Sequence, residues 1–304
     1  MAMQRVWYLN FDADEELARP IGYAPNAAVA ARLTSLVERL DGLVPAGDVI
    51  LAPSNPVAES LDGGFEGRAF CPTPRAIVAL RRAGAAIPPS PPLDVLQRVN
   101  HRAFSAELGQ HLPGARFVHA RAELVEALSS SRGPWVLKRA FGFAGRGRQR
   151  LRSNELGPSV EPFVRASLTD RGGLQVEPWV ERVIDIGMHG FLSRRGSLTL
   201  GDPTLQIVDE TGAWSKSSRL PADLLTAGEE RALFTEAERT AAALASAGYF
   251  GPFGIDAFRW KDAGGDVRFN PRCEVNARYS MGWAVGMGSR RPDLLPVELT
   301  WEGR

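Results

Sequence analysis

The sequence predicts an α/β fold whose C-terminal part is α+β. In the first ninety residues, short apolar runs of strand length alternate with segments of helical spacing, which is typical of a parallel sheet covered by helices. Near the C-terminus, two longer runs flank a Gly-rich turn and predict an antiparallel hairpin. A Pro-rich stretch at 87–92 is either a domain boundary or a surface loop within one domain.

The N-terminal part predicts two strands and two helices. Residues 6–10 and 48–52 are short apolar runs of strand type, and prolines follow the second run. Residues 27–40 carry apolar side chains at helical spacing and end before Gly42, and residues 75–82 show a similar pattern.

The remaining chain predicts further helices and strands. A helix is expected over 94–108, and a second helix begins at a capping box of Thr226 and Glu229 and ends near Gly248. The last fifteen residues read as a loosely held tail. Strands are expected at 136–138, 174–180, 184–192, 254–260 and 267–276.

Composition excludes several classes of protein. The 304 residues include 36 Lys+Arg against 35 Asp+Glu, so bulk charge does not favour a nucleic-acid or membrane-surface protein. No run approaches the roughly 20 apolar residues of a membrane span, and no secretory leader is visible. Cys71 and Cys273 form neither a disulfide framework nor a zinc spacing. We therefore expect a cytoplasmic protein with no membrane partner.

Lysine is rare in this chain, which contains only Lys138, Lys216 and Lys261. Lys138 closes a predicted strand and precedes a loop with glycines at Gly142, Gly145 and Gly147. Such glycines let backbone N–H groups approach a polyphosphate, and the ammonium would meet phosphate oxygens from the side. The loop is not a Walker A motif, and a plain hairpin turn is the alternative.

The same stretch also supports a nucleic-acid reading. Between Arg132 and Arg152 basic residues alternate with Trp135, Phe141 and Phe143, and no acid intervenes. Basic and aromatic side chains together can bind a single strand. Because the net charge of the whole chain is near zero, we do not expect a nucleic-acid partner.

A second group of polar residues lies on the C-terminal hairpin. Glu274 and Asn276 are two apart on a strand and face the same side, and hairpin arithmetic places Asp256 opposite residues 272–274. Two carboxylates and an amide oxygen are hard ligands suited to Mg²⁺ with nucleotide phosphates. An exposed polar face of the sheet is the alternative.

A third group is Glu177, Pro178, Trp179 and Val180, followed by Asp185. A strand that ends in an acid and turns through proline offers backbone groups to an adenine edge. A carboxylate a few residues later suits ribose hydroxyls.

Taken in order, residues 94–282 resemble the ATP-grasp superfamily. The resemblance implies a Rossmann-like preATP-grasp domain at 1–92 and a two-subdomain ATP-grasp domain at 93–304, with a lid at about 115–180 and a metal-binding subdomain at about 181–304. It implies ATP binding by a set of residues on the lid, the hinge and the central segment: Lys138, Gly142, Gly145, Gly147, Glu177, Trp179, Val180, Asp185 and Lys216.

The resemblance also implies the remaining roles. Asp256, Glu274 and Asn276 would hold Mg²⁺, with Mn²⁺ as an alternative, and Arg278, Arg272 and Lys216 would be catalytic. Many members carry a first nucleotide-binding lysine that this chain lacks, so Arg102 or Arg98 would serve instead.

The function implied is an ATP- and Mg²⁺-dependent ligase. It would activate a small-molecule carboxylate as an acyl phosphate and join it to an amine, releasing ADP and phosphate. A phosphotransferase and a non-catalytic nucleotide-binding module are the alternatives, and a homodimer is compatible with the sequence. Histidines at 101, 111, 119 and 189 show no metal-ligand spacing, and Ser54 and Ser280 show no triad partner.

Overall fold

A computed structural model describes residues 4–39, 42–51, 64–109, 112–131, 133–142, 147–170, 172–208 and 214–295. Within these ranges the strands form three sheets, each drawn from its own stretch of chain. Helices cover the sheets, and the α/β class is confirmed. The proposed domain and lid boundaries stay predictions. Among the described helices, none combines the length and apolarity that crossing a membrane requires.

The N-terminal sheet is parallel, as predicted. Its central strand, β1, pairs with β2 on one side and β3 on the other. The elements are β1 (Arg5–Tyr8), α1 (Ala13–Ala18), α2 (Ala27–Arg39), β2 (Val49–Leu51), β3 (Glu66–Ala69) and α3 (Pro74–Arg82). Val6 and Tyr8 pack with α3, whereas Trp7 packs in a cluster with Tyr279 and Trp283 from the C-terminal part. The N-terminal unit is therefore fixed against the rest of the chain by apolar contacts.

The second sheet is antiparallel, in the order β4-β7-β5-β6. Two helices precede this sheet in the chain, and two others pack against it. The elements are α4 (Leu93–Asn100), α5 (Arg102–Glu107), β4 (Arg116–Val118), α6 (Arg121–Ser129), β5 (Trp135–Arg139), β6 (Arg148–Leu151), α7 (Glu161–Asp170) and β7 (Leu174–Pro178). Trp135, Leu137, Leu174 and Val176 are buried on its inner face.

The third sheet has the order β11-β10-β8-β12-β13, with β9 paired to the far end of β8. Its elements are β8 (Glu181–Leu192), β9 (Leu198–Leu200), β10 (Thr204–Val208), β11 (Trp214–Arg219), α8 (Ala227–Ser246), β12 (Gly251–Lys261), β13 (Val267–Asn276) and α9 (Trp283–Met287). Leu233, Ala237 and Leu244 of α8 pack on Ile255 and Val275. Because strand side chains alternate, the polar residues between those apolar ones lie on the opposite face.

The helix predicted over 94–108 is wrong in one respect, because it is broken at His101. The backbone of His101 is extended, with φ −73° and ψ 132°, and its Nδ1 accepts a hydrogen bond from Ala103 N at 3.2 Å. The Arg102 N–H donates to the Ala140 carbonyl at 3.0 Å instead of continuing the helix. The break therefore joins the start of α5 to the end of β5.

The structure also decides the predicted capping box and the first part of the predicted loose tail. The capping box is confirmed, because Thr226 Oγ1 accepts from Glu229 N at 3.2 Å and Glu229 Oε2 accepts from Thr226 N at 2.9 Å. The loose tail is wrong for residues 290–295. Asp293 is fully buried there and accepts from the Tyr279 hydroxyl at 3.0 Å, and its carbonyl accepts from Arg68.

Candidate active site

The hairpin of β12 and β13 brings together the three predicted metal ligands. Asp256 pairs directly with Glu274, and Gly254 pairs with Asn276, so the three polar side chains lie on one face. Asn276 Nδ2 donates to Asp256 Oδ2 at 3.1 Å. The alternating Ile255 and Val275 are buried against α8. The polar face opposite α8 therefore carries a compact cluster of oxygen atoms.

Two residues outside the predicted metal triad complete this cluster. Gln206, from β10, donates to Asp256 Oδ1 at 2.7 Å, and no sequence signal had singled it out. Arg102, at the start of α5, donates to Glu274 Oε1 at 2.8 Å and to the Arg139 carbonyl at 3.0 Å. The helix break at His101 positions Arg102 for both contacts. Arg98 is exposed on α4, so of the two arginines it is Arg102 that reaches the cluster.

The charges of the cluster favour a bound cation. Burial, followed by the nearby Glu274 carboxylate, raises the pKa of Asp256 to about 6, although Gln206 and Asn276 oppose that rise. Two carboxylates held opposite each other in a buried site repel one another, and a divalent cation would relieve that repulsion. Among the described residues no three His, Cys, Asp or Glu side chains converge, so the Asn276 amide is needed as the third donor. The donor set fits Mg²⁺.

Lys138 and Glu177 form a buried ion pair between β5 and β7. Lys138 Nζ donates to Glu177 Oε2 at 2.6 Å. Burial opposes ionisation of Glu177, but Lys138, Arg182 and Arg102 together hold its pKa below the ordinary value. Arg102 therefore acts on Glu177 and also contacts Glu274. The predicted nucleotide residues and the metal cluster are electrostatic neighbours.

The segment after β7, which is the predicted hinge, is partly exposed. Trp179 has 43% of its surface exposed, donates its backbone N–H to the Pro134 carbonyl at 2.9 Å, and carries the Arg150 guanidinium 4.0 Å above its ring. Val180 is half-buried. Asp185 lies on the cluster face, where it pairs with Gln206, and it forms an ion pair with Arg182 at 2.5 Å. An adenine amino group would have to share Glu177 with Lys138.

The Gly-rich loop is described only at its two ends. Gly142 follows β5, and Gly147 precedes β6 and has φ +75°, a conformation that favours glycine. Gly145 lies outside the described residues, as does Phe143. The Gly147 carbonyl accepts from Arg139 N at 2.7 Å. Trp135 and Phe141 are buried, so neither ring is accessible for the base stacking that nucleic-acid binding would need.

The register separates Lys216 from the cluster. Lys216 pairs with Ile207, whereas Ser217 pairs with Gln206, and paired side chains share a face. Lys216 is exposed on the face opposite Asp256. Arg219, by contrast, is connected to Asp256 by a series of directly paired residues on neighbouring strands. The pairs are Arg219 with Thr204, Thr204 with Gly187, and Gly187 with Asp256. In β11 the cation on the cluster face is therefore Arg219, which sequence reasoning missed.

Arg272 and Arg278 occupy different surroundings. A bulge on β13 turns Arg272 towards α8, where it is 3% exposed and donates at 2.6 Å to Glu236 Oε1 and to the Ser105 and Gly109 carbonyls. These contacts direct the Arg272 guanidinium towards α8 and α5 and away from the cluster. Arg278 donates to Asp14 Oδ2 at 2.8 Å, and it lies close enough to Asp256 to lower that residue's pKa.

Several solved structures of other proteins have a fold similar to that of this chain. The biotin carboxylase domain of Hydrogenobacter thermophilus 2-oxoglutarate carboxylase is 16% identical, with a TM-score of 0.55 over 92% of this chain and 65% of its own. D-alanyl-alanine synthetase A of Vibrio cholerae is 14% identical, with a TM-score of 0.53 over 94% and 92%. The chain has the ATP-grasp fold.

A third match with this fold, Rhizobium etli pyruvate carboxylase, is 16% identical, with a TM-score of 0.54 over 94% of this chain and 27% of its own. No protein-family model matches the chain, and no curated protein matches it. The predicted resemblance to ATP-grasp proteins is thus confirmed at the level of the fold. The roles assigned to individual residues stay predictions.

Proposed function

We propose that this protein is an ATP- and Mg²⁺-dependent ligase that activates a carboxylate as an acyl phosphate and joins it to an amine. The observation that carries the proposal is the cluster of Asp256, Glu274 and Asn276 on the open face of an ATP-grasp sheet, beside Arg278. One of the solved neighbours is described as a complex with MgADP and bicarbonate, and another as a D-alanyl-alanine synthetase.

The nucleotide would lie between the second and third sheets. Lys138 and Arg102 would neutralise phosphate oxygens, after exchanging part of their present contacts with Glu177 and Glu274. Glu177 with Trp179 and Val180 would bind the adenine edge, and Asp185 the ribose. The glycines between Gly142 and Gly147 would approach the phosphates through their backbone N–H groups.

Mg²⁺, or Mn²⁺ in its place, would be held by Asp256, Glu274 and Asn276 and would supply charge neutralisation for phosphoryl transfer. The protein itself needs to do little proton transfer in the first step. Its main contributions would be to align the nucleotide with the carboxylate and to hold positive charge in place beside the phosphates. Arg219 at the end of β11 and Arg278 after β13 would supply that charge, and Arg278 has the fork geometry that binds a carboxylate or phosphate.

Lys216 and Arg272 both point away from the cluster of Asp256, Glu274 and Asn276. Lys216 stays a predicted phosphate ligand, although the register places it on the opposite face of the sheet. For Arg272 we propose a structural role, because its guanidinium is bonded to Glu236, Ser105 and Gly109.

The test is ADP release from Mg·ATP over a panel of small carboxylates, with and without a panel of amines. The proposal expects substrate-stimulated ADP release and an amide product. Glu274→Gln and Lys138→Ala should each abolish turnover, whereas Lys261→Ala should not, because Lys261 forms an exposed ion pair with Glu181.

The outcomes separate the alternatives. A stable phosphorylated product without an amide would indicate a phosphotransferase. Nucleotide binding without ADP release under any condition would indicate a binding module. Absence of nucleotide binding would contradict the proposal. Gel filtration with light scattering tests whether the chain forms the homodimer with which its sequence is compatible.

A further inference from the structure

His189 lies in the centre of a buried polar chain that the predicted roles do not use. It is 2% exposed, and its Nδ1 lies 2.8 Å from Ser280 Oγ. Its Nε2 lies 3.2 Å from Thr204 Oγ1, which in turn donates to the Gly187 carbonyl at 3.2 Å. Four residues, from the two strands β8 and β10 and from the segment after β13, are thus connected in one line.

The direction of the protons along this line can be assigned. A carbonyl oxygen only accepts, so the Thr204 hydroxyl proton points to Gly187, and Thr204 Oγ1 must accept from His189 Nε2–H. His189 is neutral at ordinary pH, because burial lowers its pKa to about 4. Its Nδ1 is then an acceptor, and the Ser280 hydroxyl proton points to it. Ser280 Oγ is left with lone pairs and no proton to offer.

Ser280 lies beside the predicted metal ligands Asp256 and Asn276. A side chain on Gly254 would come within 3.3 Å of Ser280 Oγ and 3.2 Å of His189 Nδ1, so both atoms lie directly over Gly254. Gly254 pairs with Asn276, and Asp256 is two residues further along the same face. Ser280 is half-buried, and its Oγ has no other hydrogen-bond partner among the described residues. The free lone pairs therefore lie at a half-buried position next to the face that carries Asp256 and Asn276.

We propose that Ser280 Oγ accepts a hydrogen bond from the N–H of the amine substrate, and that His189 is the positioning residue that keeps Ser280 an acceptor. A carboxylate or a phosphate has no proton to donate and would be disfavoured here, so the same atom helps to separate the two substrates. Arg278, two residues away, would take the carboxylate. This inference rests on the proposed ligase function and adds the site of its amine.

The first test needs no catalysis. In protein labelled with ¹⁵N-histidine, NMR should show His189 with an unprotonated Nδ1 and a protonated Nε2. Titration with methylammonium should shift the His189 signals in the wild type and not in Ser280→Ala. Tetramethylammonium has the same charge but no N–H, and should cause no shift. A protonated Nδ1, or equal shifts with both ions, would overturn the inference.

The second test is kinetic and uses methylamine with any carboxylate that supports ADP release. Ser280→Ala should raise the KM for methylamine about tenfold, the effect of losing one hydrogen bond, and leave the KM for ATP unchanged. Ser218→Ala is the matched control, because Ser218 lies on the opposite face of β11 and should leave both constants unchanged.

His189 variants test the positioning role. His189→Asn keeps an acceptor near the Nδ1 position and should show a KM for methylamine between those of the wild type and His189→Ala. Equal changes in the KM for ATP and for methylamine would indicate a general structural defect and would contradict the inference. If no carboxylate supports ADP release, the ligase proposal fails, while the NMR experiment still decides the role of Ser280.

Discussion

Asp14 and Arg278 form an ion pair, with 2.8 Å between Asp14 Oδ2 and an Arg278 terminal nitrogen, although 264 positions separate them in the sequence. Asp14 is in the first helix of the N-terminal unit, and Arg278 follows the strand that carries Glu274 and Asn276. Both side chains are largely buried, with 7% and 13% of their surface exposed. The pair therefore ties the N-terminal unit to the candidate site.

We predict that Asp14→Asn destabilises the protein by about 3 kcal/mol, because a buried guanidinium loses its partner. Denaturant unfolding would measure the change. Asp266→Asn is a suitable control: Asp266 pairs with Arg268 in an exposed turn, and its loss should cost less than about 0.5 kcal/mol. Equal effects of the two substitutions would contradict this account.

Lys216→Ala and Arg219→Ala should differ in their effect on ADP release. The register places Arg219 on the face of Asp256 and Lys216 on the opposite face, so the loss of Arg219 should lower the rate about tenfold or more. Lys216→Ala should change it less than about threefold. The reverse order would show that Lys216 reaches the phosphates, as the resemblance to ATP-grasp proteins implies.

Gln206→Leu should move the pH dependence of Mg²⁺-supported ADP release to higher pH. The Gln206 amide lowers the pKa of Asp256 by donating to its carboxylate, so removing it raises that pKa further. Asp256 would then become protonated, and lose its ability to bind the metal, at a higher pH than in the wild type. Gln4→Leu, at an exposed position just before β1, should leave the profile unchanged. An unshifted profile in Gln206→Leu would contradict the prediction.

Stability should fall as the pH drops from about 6.5 to about 4. The unfolded chain protonates His189 below its ordinary pKa, whereas burial holds the folded pKa at about 4, so the unfolded state binds more protons across this window. The effect of this one residue is on the order of 3 kcal/mol. In His189→Asn the slope of unfolding free energy against pH should be smaller over the same range. His101, whose pKa burial also lowers to about 4, adds a residual slope of the same sign.

The sequence allowed much of the site to be predicted where the information is local. Hairpin arithmetic placed Asp256 opposite residues 272–274, because strand periodicity and a short turn limit the register, and the structure pairs Asp256 with Glu274 at one end of that range. This arithmetic gave no account of the irregularity between Asn270 and Glu274 of β13, where Arg272 turns towards Glu236 of α8. Strand periodicity alone could not show which face of the sheet carries Lys216, because the sequence does not reveal that β11 pairs with β10.

Contacts between distant segments could not be predicted. Gln206 of β10 reaches Asp256 of β12 across β8, which lies between these two strands in the sheet. Ser280 contacts His189, although 91 positions separate them in the sequence. The break at His101 depends on the Ala140 carbonyl, which competes for the Arg102 N–H. In each case the decisive partner lies on another element, and a single sequence without an alignment carries no signal for it.

The surroundings of His189 also constrain how this chain can change over time. A side chain on Gly282 would come within 2.8 Å of the imidazole, one on Gly254 within 3.2 Å, and one on Gly286 would overlap it. The imidazole and these glycines therefore form one packed set: an added methyl at Gly282 or Gly286 collides with the ring while His189 is present, and one at Gly254 requires the ring to shift by a few tenths of an ångström. In an alignment of homologues, positions 189, 254, 282 and 286 should vary together.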